Sequence, residues 1–265
     1  MKKYLLLFLT GFFIVLSGCK NGENHTYQTD FENYFEGYEG AFVLYDVNNR
    51  YYIRHNEEKC DERYSPCSTF KVFNSLAALE SGVLKDENEV IKWDSTMRDY
   101  EVWNRDHDMR SAIANSVVWF YQEVARRIGS ERMQKYLDEV GYGNKDISGG
   151  IDKFWLMSSL KISPNEQVEF LRRLYLGELP FSQRSMDIVK DIIRLDSLPS
   201  GSILSGKTGS GTGDGGSTMD IGWFIGSVQL GNNLYIFATN IRGPGASGKK
   251  AKEISLEILK SIRVL

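Results

Sequence analysis

Metal-binding residues are scarce in this sequence. Its 265 residues include three cysteines and three histidines, and the histidines are far apart, at His25, His55 and His107. Zinc sites in proteins use such ligands at short, characteristic spacings. The sequence therefore predicts no metal site.

A surplus of positive charge is also missing. Lysine and arginine total 32 against 35 acidic residues, which gives a net charge of −3, and the densest basic block is the short run KKAK at 249–252. Proteins that bind nucleic acid present a concentrated basic surface to the phosphates. The charge balance argues against a nucleic-acid partner.

An apolar run from residue 4 to residue 16, behind two lysines, occupies the N-terminus. It is too short to span a bilayer comfortably and has the layout of a signal peptide. It ends in LSGC at 16–19, which resembles a bacterial lipobox with Cys19 as the lipidated residue. We expect removal of residues 1–18 and a periplasmic protein anchored by lipid to a membrane, the outer membrane of a Gram-negative bacterium. The alternative is an ordinary signal peptide with an incidental cysteine, which also predicts export.

Export leaves the state of the other two cysteines open. In an oxidising compartment Cys60 and Cys67 could form a disulfide that closes a short loop. The alternative is two free thiols, one exposed and one buried. Spacing alone does not decide between them.

Strand-like runs lie near both ends of the chain, and helical patterns lie between them. After a polar segment at 19–37, interpreted as a tether, residues 41–47 and 51–54 flank a predicted hairpin turn. Further strands are predicted at 203–208, 221–228 and 234–241, and helices at 118–128, at 163–175 and at the C-terminus. The pattern predicts an α/β (α+β) fold in one domain, 38–265. Its central antiparallel sheet is built from both chain ends and flanked by helices, with a helical subdomain inserted at about 85–195.

The predicted helix at 68–80 lacks a polar face and should be buried. Ser68 and Lys71 lie at positions i and i+3 on one side of it. Burial disfavours the ammonium form, so Lys71 could be a neutral amine that acts as a base for Ser68, directly or as a carbamate after capture of carbon dioxide. Ser-x-x-Lys also occurs at 17–20, 158–161 and 247–250, but without such an environment.

The segment GSILSGKT at 201–208 satisfies the phosphate-loop pattern G-x-x-x-x-G-K-[ST]. A working phosphate loop leads from a strand into a helix, whose N-terminus helps to hold the anion. The following GSGTGDGG is too rich in glycine to begin a helix. The G-x-G-x-x-G at Gly211, Gly213 and Gly216 leads into a predicted strand. Neither pattern predicts a nucleotide site.

Several motifs together carry a family resemblance. YSPCSTFKVFNSLAALESGVL at 64–84 closely resembles the nucleophile segment of class D (oxacillinase-type) serine β-lactamases. The remaining motifs follow in the family's order: WNRDHDMRSAI at 103–113, SVV at 116–118, YGN at 142–144, FWLMSSLKISPNEQVEFL at 154–171, KTG at 207–209 and GW at 222–223. The resemblance covers residues 38–262, and such an ordered set is highly specific. It implies the β-lactamase/transpeptidase-like fold and hydrolysis of β-lactam antibiotics.

The resemblance also implies roles for the residues of the acylation site. The Ser68 position attacks the lactam carbonyl, and a carbamate on Lys71, formed from carbon dioxide, activates Ser68 and then the deacylating water. Val118, Trp155 and Leu156 match positions that enclose this group, and the tryptophan N–H typically holds it.

Other matched positions act on the leaving nitrogen and bind the substrate. Ser116 passes a proton to the lactam nitrogen, and the backbone N–H groups of Ser68 and Ser210 form the oxyanion hole. Lys207, Thr208 and Gly209 bind the substrate carboxylate.

One expected residue has no clear match. Family members usually place an arginine after the last matched strand, where it pairs with the substrate carboxylate. Arg242 comes early, and Lys249 or Lys250 could substitute, although lysine cannot form a bidentate pair.

Two other functions share part of this pattern. The penicillin-sensing ectodomain of a receptor resembles class D enzymes and stays acylated, but such a receptor needs transmembrane helices and a cytosolic domain that this sequence does not show. Cell-wall D,D-peptidases share Ser-x-x-Lys and KTG, but they commonly have Ser-x-Asn where this chain has Ser116-Val117-Val118. They also lack a carbamate pocket of the Trp155 kind.

Overall fold

The computed structural model describes residues 25–197, 201–212 and 219–265. These residues contain a seven-stranded sheet with the order β1-β3-β2-β7-β6-β5-β4. All neighbouring strands pair antiparallel except β1, which runs parallel to β3. The strands are β1 (His25–Gln28), β2 (Glu39–Asp46), β3 (Tyr51–His55), β4 (Arg194–Ser197), β5 (Ile203–Thr212), β6 (Met219–Leu230) and β7 (Asn233–Arg242).

Most of the helices lie between β3 and β4, as the sequence predicted. The helices are α1 (Glu57–Asp61), α2 (Lys71–Glu80), α3 (Met109–Ala114), α4 (Val118–Ile128), α5 (Ser130–Val140), α6 (Pro164–Leu176), α7 (Gln183–Ile192) and α8 (Gly248–Ser261). None of the helices in the described part of the chain combines the length and apolarity needed to cross a bilayer.

The two faces of the sheet are buried by different helices. Side chains alternate along a strand, so Phe42 and Leu44 face one way and Ala41 and Val43 the other. The first face packs against α8, and the second joins a larger core that includes α2, α4 and α6. Every residue of α2 from Lys71 to Leu79 is buried, which confirms the predicted central helix. The predicted fold class is confirmed as well.

Local sequence signals account for several helix ends. At the start of α6 the Ser163 hydroxyl accepts a hydrogen bond from the Glu166 N–H, and the Glu166 carboxylate accepts one from the Ser163 N–H. Pro164 occupies the first helical position, and Gly177 ends the helix in the left-handed region. This is the capping box that the sequence predicted.

The described part of the expected tether is folded. Residues 25–28 form the edge strand β1, and Phe31 and Phe35 are 5 % and 1 % exposed in the core under the sheet. The Phe31 N–H donates to Nδ1 of His55 at 3.2 Å, and the Phe35 ring stacks on the His55 ring at 4.8 Å. Burial of its aromatic side chains therefore attaches this segment to the domain and overrides its polar composition. The rest of the expected tether, the signal peptide and Cys19 lie outside the described residues.

Candidate active site

Ser68 lies in a tight turn that leads into α2. The predicted helix began at Ser68, but residues 67–70 form a 3₁₀ turn and the α-helix begins at Lys71. Cys67, directly before Ser68, has φ +50°, in the left-handed region that non-glycine residues seldom adopt. Its N–H donates to the Trp155 carbonyl at 3.1 Å, which holds the turn in place. Such backbone strain is common where surrounding contacts fix a functional residue.

Lys71 is poised to act on the Ser68 hydroxyl. Its Nζ lies 2.8 Å from Ser68 Oγ, and its side chain is completely buried. Burial, followed by the positive charge of Lys207, lowers the pKa of Lys71 well below its ordinary value. A neutral amine can accept the proton that a serine nucleophile must lose.

Trp155 carries a buried N–H without a partner. Its side chain is fully buried and its ring stacks on Phe70 at 5.3 Å, yet Nε1 has no hydrogen-bond acceptor among the described residues. Leaving such a donor unpaired costs about 1–3 kcal/mol, so a buried N–H without an acceptor needs a physical explanation. Leu156 and Val118, the first residue of α4, are partly exposed.

A second serine–lysine pair comes from distant parts of the chain. Lys207 Nζ lies 2.8 Å from Ser116 Oγ and 3.0 Å from the Thr208 carbonyl oxygen. Ser116 lies between α3 and α4 with φ +56°, another non-glycine residue in the left-handed region. Lys207 is 6 % exposed, and burial lowers its pKa to about 8.

The strand β5 brings the KTG motif against the nucleophile turn. A Cβ added to Gly209 would lie 3.0 Å from the Pro66 carbonyl oxygen, so a side chain at this position would push the strand away from the turn. Ser210 follows and pairs with Gly222 of β6, and its Oγ accepts a hydrogen bond from the Gly248 N–H at 2.8 Å. The sheet thereby sets Ser68, Lys207 and Ser210 at one site.

The three candidate carboxylate anchors lie in different surroundings. The Arg242 guanidinium lies over the Tyr64 ring at 4.7 Å, Lys250 pairs with Glu253 at 3.6 Å, and Lys249 is exposed. A basic residue that the sequence interpretation passed over, Lys252, lines a cleft beside Lys207 and Thr208.

Both described cysteines are free and buried. The prediction of a disulfide is therefore wrong, and so is the prediction that one of two free thiols is exposed. Cys60 lies in α1, where burial raises the pKa of its thiol to about 12. Burial raises the pKa of Cys67 to about 12 as well, and its Sγ lies 3.5 Å from Sδ of Met157. A Cβ on Gly211 would meet both of these sulfur atoms, so the end of β5 closes over them.

Two other matched residues have structural roles. Asn144 donates from its amide to the Ser159 carbonyl at 2.8 Å and accepts from the Lys161 N–H at 2.9 Å, as expected for a turn residue. His107 contacts Ser111 Oγ and the Val102 carbonyl through its two ring nitrogens. These contacts hold the loop before α3.

The apparent phosphate loop is a strand. Residues 203–212 form β5, and Lys207 lies within its paired part. Gly213 and Gly216 lie outside the described residues. Within the described part of the chain, no three histidine, cysteine or acidic residues are grouped closely enough to hold a metal ion.

Comparison with known sequences gives consistent results. Residues 40–260 match the family model described as the penicillin binding protein transpeptidase domain. The chain is 40 % identical over 268 residues to the probable beta-lactamase YbxI of Bacillus subtilis, covering 98 % of this chain and 97 % of that protein. It is 42 % identical over 228 residues to beta-lactamase OXA-48 of Klebsiella pneumoniae, covering 86 % and 84 %.

Solved structures include both enzymes and a receptor domain. A class D beta-lactamase from Bacillus subtilis has a TM-score of 0.84 at 41 % identity, covering 89 % of this chain and 97 % of that one. The C-terminal domain of the Bacillus licheniformis BlaR penicillin receptor has a TM-score of 0.87 at 38 % identity, covering 91 % and 98 %. The regulatory protein BlaR1 of the same organism is 40 % identical over 241 residues, but the chain spans 39 % of its length.

Proposed function

The chain belongs to the class D serine β-lactamases, within the penicillin-binding transpeptidase family, and from this membership we propose that it hydrolyses the lactam amide of β-lactam antibiotics through an acyl-enzyme on Ser68. One observation carries the proposal: the completely buried Lys71 amine lies 2.8 Å from Ser68 Oγ. A lysine in this environment is a base, and the serine beside it is an activated nucleophile.

Acylation uses both serine–lysine pairs. Lys71 takes the Ser68 proton as Oγ attacks the lactam carbonyl, and the backbone N–H groups of Ser68 and Ser210 stabilise the resulting oxyanion. Ser116 gives its proton to the lactam nitrogen as the C–N bond breaks. The proton that Lys71 took from Ser68 replaces the one that Ser116 gave up, passed on through Lys207, whose Nζ lies 2.8 Å from Ser116 Oγ.

Hydrolysis of the acyl-enzyme needs a base for water. Lys71 takes a proton from the water as the water attacks the ester carbonyl, and the ester bond breaks as Ser68 regains its proton. The released product carries a new carboxylate where the lactam amide was, and the free enzyme is restored.

The residues around Lys71 fit its carboxylation. Carbon dioxide reacts with a neutral amine, and the orphaned Trp155 N–H supplies a buried donor that a carbamate oxygen would satisfy. Val118 and Leu156 would complete the wall around it. Bound there, the carbamate would supply an anionic base for both proton transfers.

A carbamate on Lys71 is expected to give a ¹³C NMR resonance when the protein is equilibrated with ¹³C-bicarbonate. The signal should be absent from Lys71→Met, which keeps an apolar chain of similar length. It should weaken in Trp155→Phe, because this variant keeps an aromatic side chain but loses the indole N–H donor. A signal that persists in folded Lys71→Met would contradict the assignment.

The substrate carboxylate is expected to bind at Lys207 and Thr208, and this gives a pH dependence. Burial lowers the pKa of Lys207 from 10.5 to about 8, so the ammonium is charged below that pH and loses its proton above it. We expect kcat/KM to fall on the alkaline side with a pKa of about 8, since this profile reports the free enzyme. Lys207→Arg stays charged and should move the limb to higher pH. If the alkaline pKa of the kcat/KM profile does not move in Lys207→Arg, a group other than Lys207 causes the decline.

A non-hydrolysing sensor is the second candidate, favoured by the TM-score of 0.87 to the BlaR receptor domain. A chromogenic cephalosporin distinguishes the two. The enzyme should give continuous turnover that bicarbonate enhances, whereas a sensor or a D,D-peptidase should give a stoichiometric burst and then stop. A burst without turnover in bicarbonate-saturated buffer would refute the hydrolase.

We also propose that the protein is exported as a lipoprotein with its lipid on Cys19 and faces the periplasm. The support is the LSGC sequence at 16–19 after an apolar run. Metabolic labelling with a radioactive fatty acid should label the wild type in the membrane fraction and leave Cys19→Ser unlabelled. Equal labelling of the two would refute the anchor.

A further inference from the structure

A cleft of about 200 Å³ opens beside KTG. Its walls come from five places in the fold: the end of α3, the junction of α7 with β4, residues 206–208 of β5, Phe224 of β6, and α8. Lys207 and Thr208 line it, so it is continuous with the expected carboxylate site. None of the steps proposed above uses its far end.

This cleft is called here the KTG cleft. Away from Lys207 and Thr208 its floor is apolar. Phe224 is fully buried, and Ile113 and Ile193 are each 2 % exposed. Leu195, which also lines the cleft, is 39 % exposed. Exposed apolar surface beside a polar site is typical of a ligand pocket.

Lys252 adds a positive charge to this apolar surface, and Arg194 also lines the cleft. Its ammonium lies over the Phe224 ring at 5.8 Å. Its neighbour Lys250 pairs with Glu253, whereas no carboxylate in the described part of the chain forms an ion pair with Lys252. The KTG cleft therefore combines apolar walls with a cation that no ion pair neutralises.

The chemistry of the proposed substrates indicates what reaches this cleft. In a cephalosporin, the carboxylate and the C3 substituent are on adjacent ring atoms. When Lys207 and Thr208 hold the carboxylate, the C3 substituent must lie within a few bonds of them, and the KTG cleft shares both residues. Penicillins have no such arm.

We propose that the KTG cleft is the subsite for the C3 substituent of cephalosporins and that Lys252 favours acidic substituents there. This specificity rests on the proposed function. The apolar floor accommodates the body of the substituent, and the Lys252 ammonium attracts an anionic end. A substituent with a fixed positive charge meets a like charge and binds less well.

The test uses three cephalosporins that share one acyl side chain and differ at C3: a methyl group, an acid-bearing arm and a pyridinium arm. Lys252→Gln should raise KM for the acidic compound about five-fold, the range of a partly exposed ion pair, and leave the methyl compound unchanged. Lys252→Glu should raise KM for the acidic compound further and lower it for the pyridinium compound. A penicillin should be insensitive to both changes.

Lys260→Gln is the matched control, since it removes the same charge from an exposed position in the last turn of α8. An equal KM change in Lys260→Gln would show a general charge effect and overturn the proposal. A uniform rise for every substrate in Lys252→Gln, penicillin included, would make Lys252 a carboxylate anchor and also overturn it. If the wild type hydrolyses none of the compounds, the proposed function fails; if it hydrolyses them without C3 selectivity, this inference alone fails.

Discussion

Replacing Lys71 with alanine is expected to lower the turnover of a chromogenic cephalosporin by roughly 10²–10⁴-fold, the usual contribution of a positioned base. The Lys71 amine lies 2.8 Å from Ser68 Oγ, and burial lowers its pKa well below the ordinary range. Removing it leaves the Ser68 hydroxyl without a proton acceptor and the deacylating water without a base. Both halves of the reaction should therefore slow, and any acyl-enzyme that forms should persist long enough for mass spectrometry.

Two further variants separate chemistry from folding. Lys71→Met keeps most of the buried volume and should be as inactive as Lys71→Ala while unfolding near the wild-type temperature. Lys250→Ala changes the lysine of another Ser-x-x-Lys match, at 247–250, whose side chain pairs with Glu253, and it should keep full activity. Wild-type turnover by a folded Lys71→Met protein would disprove the assigned role.

Removing the Ser116 hydroxyl is expected to lower kcat/KM by roughly 10²-fold or more, because kcat/KM includes the acylation step in which the lactam nitrogen must gain a proton. Ser116 Oγ also accepts the hydrogen bond of the buried Lys207 ammonium at 2.8 Å. Without this hydroxyl the Lys207 ammonium loses a hydrogen-bond acceptor that positions it. The substrate carboxylate should therefore bind less tightly too.

The backbone at Ser116 supplies the control for this experiment. Its φ of +56° strains alanine as much as serine, whereas glycine adopts it freely. Ser116→Gly and Ser116→Ala should therefore lose activity equally if the hydroxyl carries the chemistry. Recovery of activity in Ser116→Gly would show that the effect of alanine was conformational. Steady-state kinetics and thermal unfolding of the pair decide this.

The sequence predicted well those features that depend on neighbouring residues. The Ser163–Glu166 capping box and the buried α2 follow from residue order within one or two helical turns. The apolar surroundings of Lys71 also distinguished its Ser-x-x-Lys from the other three. The alternation of strands and helices gave the fold class, and the glycine-rich sequence after Thr208 excluded a phosphate loop.

Some sequence predictions failed where burial depends on distant partners. The polar composition of residues 19–37 suggested a tether, but Phe31 and Phe35 pack beneath the sheet. The spacing of Cys60 and Cys67 allowed a disulfide, but each thiol is buried in its own surroundings. Neither composition nor spacing reports which surface a side chain will cover.

The sequence by itself determined the fold class and the pair Ser68 and Lys71, because a spacing of three residues places both side chains on the same side of a helical segment, whether its turns are 3₁₀ or α. The tertiary structure decided what surrounds that pair. It joins Lys207 to Ser116, 91 residues away, and places Lys252 in the KTG cleft while Arg242 lies over Tyr64. It also leaves the Trp155 N–H without an acceptor among the residues that the structure describes. These contacts form because three distant segments pack on one sheet, and no spacing within a single segment contains that information.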